Sequence, residues 1–160
     1  MKQKPLHQAV DSRPHSERGV MLIEALVAIA IFSFAILGIM GLQATAIRTV
    51  RDADYRVKAS LFAHQIVGQM WVDRFNVPTY ALNAGNAVCV AGSNSTSNAA
   101  VTTWLNGLKD ATNQGSLPGA ASYQQQILVE ANNVVTVTLC WKSPQDSGPH
   151  NFVLKTQIQG

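Results

Sequence analysis

The chain has 160 residues, a formal net charge of +3 and a charged fraction of only 13%, which bounds it to one domain plus a tail or anchor. Lys2, Lys4, Arg13 and Arg18 against Asp11 and Glu17 give the first 19 residues +2, leaving +1 for the remainder. The basic balance therefore gives no support to nucleic-acid binding, and Trp71, Trp104 and Trp141 do not interleave with a basic patch.

Residues 1–18 are polar, contain Pro5 and Pro14 and show no periodicity, so they read as a disordered leader. From Val20 the chain is apolar through Leu42, broken only by Glu24 and Ser33. As helix, these 23 residues cover roughly 35 Å, against a bilayer hydrocarbon core of about 30 Å. A carboxylate at mid-membrane costs on the order of 3 kcal/mol, somewhat less near the interface, so Glu24 needs a reason. Two plainer readings stand beside a specialised one. Ala44-Thr45-Ala46 has the form of a signal-peptidase site, although the apolar run far exceeds an ordinary signal core of about 7–15 residues. An uncut N-terminal anchor is the other. Basic residues do not decide orientation, because Lys2, Lys4, Arg13 and Arg18 are balanced by Arg48, Arg51, Arg56 and Lys58.

Gly19 followed by Val20-Met21-Leu22-Ile23-Glu24 resembles the class III signal of type IV prepilins: a basic leader ending in Gly, an apolar helix, and Glu as the fifth residue after the Gly. The continuation Ile36-Leu37-Gly38-Ile39-Met40-Gly41-Leu42-Gln43 is similar to that of PilV-like minor pilins. The strong part of the likeness runs from Gly19 to about Arg48. It implies that a prepilin peptidase cuts after Gly19 on the cytoplasmic side and methylates the new amine of Val20, a position where the family usually has Phe or Met. It further implies that Glu24 pairs with the first residue of a neighbouring subunit. The expected layout is a removed leader at 1–19, a transmembrane and filament-core segment at 20–42, and a periplasmic head at 43–160. The implied fold is α+β and pilin-like, with a long N-terminal helix packed on a small antiparallel sheet.

The helix is expected to run past Leu42, from about Leu22 to Phe75, because Ala46, Val50, Ala53, Val57, Leu61, His64, Gly68 and Trp71 follow helical spacing. That stripe is the expected packing face, with Phe62, Ile66 and Met70 joining from another side. Asp52–Arg56 and Asp54–Lys58 are i,i+4 pairs with the acid first. Asn76-Val77-Pro78 stops the helix. A loop follows over 79–97, then a short amphipathic helix from about Asn98 to Ala111 carrying Val101, Trp104, Leu105 and Leu108. Leu117-Pro118-Gly119 turns the chain. Strands are expected at Tyr123–Glu130, at Val134–Trp141 and through the alternating Phe152, Leu154, Thr156 and Ile158. Asn132-Asn133 suit a tight turn. In the middle strand Val135, Val137, Leu139 and Trp141 share one face, and Thr136, Thr138 and Cys140 the other.

Cys89 and Cys140 lack metal-ligand spacing and have no neighbouring His. In an oxidising compartment they default to a disulfide, the alternative being two buried thiols. No catalytic constellation, phosphate loop or nucleophile motif is present, and no cofactor or metal is implied. His64 reads as a core histidine, His150 as a loop residue, and the three tryptophans as core. The resemblance points to a structural minor pilin that helps initiate a type IV pilus with other minor and major pilins and a tip adhesin. It would reside in the inner membrane with a periplasmic head before entering the fibre at the cell surface. A minor pseudopilin of type II secretion shares the same N-terminus and is the alternative, with a membrane-anchored periplasmic enzyme a more distant one.

Overall fold

The computed structural model describes residues 18–159, apart from 111, 113 and 114. The expected leader, save Arg18 and Gly19, lies outside the described residues. Helix α1 spans Arg18–Val72, 55 residues, uninterrupted because no proline occurs between Pro14 and Pro78. The chain divides between Ile47 and Arg48 into two compact units. The first unit's described part is the helical stretch up to Ile47, and residues 19–47 are all exposed. Its few hydroxyls are satisfied within the helix: Ser33 Oγ donates to the Ile29 carbonyl at 2.7 Å and Thr45 Oγ1 to the Gly41 carbonyl at 3.3 Å. This local bonding is how hydroxyls are accommodated on an apolar helix.

The second unit carries the core. There α1 buries Ala59, Ala63, Ile66, Val67 and Met70, with Tyr55 and Phe62 packed alongside. This corrects the expected packing face. Val50, Val57, Leu61 and Trp71 are exposed, as are His64 and Gly68. The helix has two apolar faces, and the one bearing Ala59 and Ala63, whose short side chains allow close approach, lies in the core. The Asp54–Lys58 ion pair forms at 2.8 Å, whereas Asp52 and Arg56 form none among the described residues.

Helix α1 ends at Val72, three residues before the expected stop. Asp73 leaves helical geometry (φ −107°, ψ 44°), and a 3-10 segment, Arg74–Tyr80, follows with Pro78 inside it. The Asp73 carboxylate organises this turn, accepting from Asn76 Nδ2 at 2.6 Å and from the Tyr80 hydroxyl at 3.3 Å. Helix α2, Ala99–Lys109, starts where the Asn98 side chain accepts from the Ala100 and Val101 amides at 2.9 and 3.2 Å, a standard N-cap. It buries Val101, Trp104, Leu105 and Leu108. Trp104 Nε1 donates to the Phe62 carbonyl at 2.9 Å and so ties α2 to α1.

Three antiparallel strands follow in the order β1-β2-β3: β1 Gln126–Glu130, β2 Val134–Trp141 and β3 His150–Gln157. Gln126 pairs with Thr138, and Trp141 with His150. Asn132 and Asn133 both take positive φ, 58° and 51°, in the connection from β1 to β2, as asparagine tolerates. The expected first strand starts three residues late because Gln125 serves a different purpose. Its side-chain amide pairs with the main chain of Cys140 in both directions, accepting from the amide at 2.7 Å and donating to the carbonyl at 3.1 Å. It thereby prolongs the β1–β2 ladder with a side chain in place of a strand residue.

In β2 not only Val135, Val137, Leu139 and Trp141 are buried; Thr138 and Cys140 from the other face are buried as well. The segment after the 3-10 turn covers that end of the sheet. Leu82 makes an isolated antiparallel bridge to Ile127, Ala91 one to Tyr123, and Cys89 is bonded to Cys140.

Candidate functional site

The expected processing residues lie at the start of α1. Gly19 is its second residue, exposed, with nothing within 4 Å of where a Cβ would stand. Glycine thus meets no packing demand there among the described residues. Val20 is exposed beside it. The helix carries no acid in its first turn, and Glu24, its seventh residue, is the first acid within it. Glu24 stands one helical turn after Val20, is exposed, and has no ion pair or hydrogen bond among the described residues. Gly19, Val20 and Glu24 therefore share one short stretch of helix. That stretch places a glycine–valine peptide bond about one turn ahead of a carboxylate.

The segment behind it is apolar enough to cross a membrane. Its most apolar 18-residue window has a mean hydropathy of 2.7, and none of that window is buried inside the molecule. A core helix of an ordinary globular domain would have this surface covered.

Cys89 and Cys140 are joined by a disulfide, with Cα atoms 5.5 Å apart and a sequence separation of 51. Cys89 takes φ 58°, an uncommon conformation for a residue with a Cβ. The bond fastens this loop residue to a fully buried position of β2. In the chain-entropy picture a loop of this length contributes up to about 4 kcal/mol.

Several polar groupings escaped the sequence reading. His150 is the first residue of β3 rather than a loop residue; its ring stacks on Trp141 with centroids 5.9 Å apart. Its Nε2 lies 3.0 Å from Asp146 Oδ2, which also accepts from the Ser143 amide. The pair pins the 143–149 loop against the end of the sheet. His64 is exposed, not a core residue, and its Nδ1 bonds its own helix at the Ser60 carbonyl, 2.7 Å away. Burial, then the neighbouring Asp73 charge, push the Tyr80 hydroxyl up from its ordinary pKa. Burial draws Lys109 down. Asp110 is held below the usual carboxylate range by hydrogen bonds from Thr112. These groups are separate, and each is accounted for by its local surroundings. Among the described residues no three His, Cys, Asp or Glu side chains gather where a metal ion could be held. The chain matches no protein-family model, and no curated protein or solved structure is significantly similar to it.

Proposed function

We propose that this chain is a structural minor pilin of the PilV-like kind, which takes part in initiating a type IV pilus. The observation that carries the reading is the run Gly19-Val20-Met21-Leu22-Ile23-Glu24 at the start of an exposed apolar helix, with the Glu24 carboxylate, unpartnered among the described residues, about one turn from the Gly19–Val20 bond. In this reading a prepilin peptidase cuts after Gly19 and methylates Val20. The chain then waits in the inner membrane with its disulfide-bonded α+β head in the periplasm. On assembly Glu24 meets the N-terminal amine of a neighbouring subunit, which relieves the cost of a lone carboxylate in an apolar setting, and apolar contacts along 20–42 supply most of the association. The small three-stranded head and long N-terminal helix are consistent with a pilin-like layout. The test is the N-terminus of the exported chain. Sequencing should begin at Val20, and replacing Gly19 by a bulky residue should leave full-length protein in the membrane. A wild-type N-terminus after Ala46 would overturn the proposal in favour of an ordinary secretory signal. The type II secretion alternative shares every one of these features. Deleting the gene should abolish surface pili while leaving secreted enzymes unchanged; the opposite pair of results selects the pseudopilin.

A further inference from the structure

The two edges of the sheet are finished differently. The Ile158 amide donates to the Asn133 carbonyl at 3.0 Å, which sets the phase of the β2–β3 ladder. Bonded and non-bonded pairs alternate along an antiparallel ladder. With Val134 opposite Gln157 and Trp141 opposite His150, the main chains of His150, Phe152, Leu154 and Thr156 therefore face β2. Those of Asn151, Val153, Lys155 and Gln157 face away from it. The same phase accounts for the far side of the sheet. It turns the Cys140 main chain toward β1, where the Gln125 side chain completes both bonds. It turns the Ile127 main chain outward, where Leu82 meets it with bonds in both directions, each 3.0 Å. Among the described residues, no main-chain bond reaches Asn151, Val153, Lys155 or Gln157 from outside β3.

Natural sheets blunt such an edge with proline, a bulge or charge. Strand β3 has no proline, and its register with β2 runs unbroken from His150 to Gln157. Its one lysine, Lys155, is drawn back across β2 to Glu130, 3.1 Å away. Its side chains alternate: Phe152 and Leu154 pack half-buried against the core, while Val153 is 52% exposed on the other face. A main chain displayed in this way is complementary to another extended main chain.

A second copy fits poorly. Two β3 strands paired antiparallel are related by a two-fold axis along the sheet normal. The α1 segments that share a core with the two sheets would then run in opposite directions, whereas chains held in one membrane share one direction. A copy joined β3 to β1 would meet an edge already taken at Ile127. We infer that the β3 edge over residues 151–157 binds an extended segment of a different polypeptide, antiparallel, with apolar side chains continuing the Phe152 and Leu154 row and polar ones on the outer face. The exclusion of a second copy rests on the membrane reading of the proposed function; the pairing of main chains does not.

A designed peptide of about seven residues, a typical strand length, tests it, with Val and Leu alternating with Thr and Gln. It is added to the full chain in detergent micelles, and amide exchange is read residue by residue by NMR. In the free chain the amides of Asn151, Val153, Lys155 and Gln157 should exchange quickly, and those of Phe152, Leu154 and Thr156 slowly. Saturating peptide should slow the first set at least about tenfold and leave the second set unchanged. The Thr and Gln positions of the peptide are the ones whose main chain would face β3. N-methylating them should weaken binding at least about tenfold, and N-methylating the Val and Leu positions less than about threefold. Val153→Pro removes an outward amide and no β2–β3 bond, so it should abolish binding while Phe152 and Leu154 stay protected. Outward amides already protected in the free chain, no slowing with peptide, equal binding of the two methylated forms, or native affinity with Val153→Pro would each overturn the inference. Slowing that grows with protein concentration alone would overturn it in favour of a second copy. The N-terminus plays no part in this assay, so a failure at Gly19 and a failure at β3 are read separately.

Discussion

Glu24 is the residue on which assembly turns in the proposed function, because nothing else in the described chain balances it. Glu24→Gln keeps shape and polarity while removing the charge. It should leave membrane insertion and cleavage after Gly19 intact, yet weaken crosslinking to partner pilins and lower pilus number. If Glu24 instead pairs only with the amine of its own Val20, crosslinking and piliation will stay at native levels. Two other residues test the head. Gly119 takes φ 65°, and a Cβ there would sit 2.8 Å from the Lys142 carbonyl oxygen. Lys142 cannot simply yield, since its amide donates to the Pro118 carbonyl at 2.9 Å. Gly119→Ala should therefore destabilise the head by about 1–3 kcal/mol, seen as a lower thermal midpoint of the full chain in detergent. Gln125→Leu removes the buried amide that pairs with both main-chain groups of Cys140. Leaving those two groups unpaired should cost roughly 2–4 kcal/mol, with faster amide exchange at Cys140 as the specific signature.

At the scale of elements, the disulfide does what a longer sheet would otherwise do. The segment 81–97 adds no strand to the sheet; it is joined there by isolated bridges at Leu82 and Ala91, by hydrogen bonds of Asn83 and Asn94 to Gln125, and by the bond from Cys89 to Cys140. Cys89→Ser with Cys140→Ser should therefore expose that end of the sheet and lower the head's stability by about 2–4 kcal/mol. Processing at Gly19 should be unaffected, because it depends on the start of α1 alone. Non-reducing mass spectrometry of the exported protein should find both thiols blocked; two alkylatable thiols would show that the exported head does without the bond. Helix α1 shows why amphipathic spacing in a sequence is ambiguous. Its periodicity identifies apolar faces but not which of two faces meets the core. The face carrying Ala59, Ala63, Ile66 and Met70 is buried, while the one carrying Val57, Leu61 and Trp71 is left uncovered.

For the molecule as a whole, the two compact units divide the work by surface chemistry. The stretch up to Ile47 is an apolar helix left exposed, long and apolar enough to cross a membrane; in the proposed function the membrane and other subunits cover it. The stretch from Arg48 closes its own core around Ile66, Trp104, Ile127 and Leu139. In the proposed function this division makes the head's stability and processing at Gly19 separable by experiment.

Local rules made much of this legible in sequence. The continuity of α1 follows from the absence of proline, α2 from the helical spacing of Val101, Trp104, Leu105 and Leu108, and the β1–β2 connection from paired asparagines. The apolar window with its single carboxylate was equally visible, since composition alone specifies it. What only the tertiary structure decided were relations between distant residues: which face of α1 is buried, that Trp71 and His64 are exposed, that Gln125 stands in for a strand residue, and that Thr138 and Cys140 are covered. Each depends on contacts far apart in the chain, as between Leu82 and Ile127 or Cys89 and Cys140. Period and propensity describe only neighbours a few residues apart, so they carry no record of which partner fills a given face.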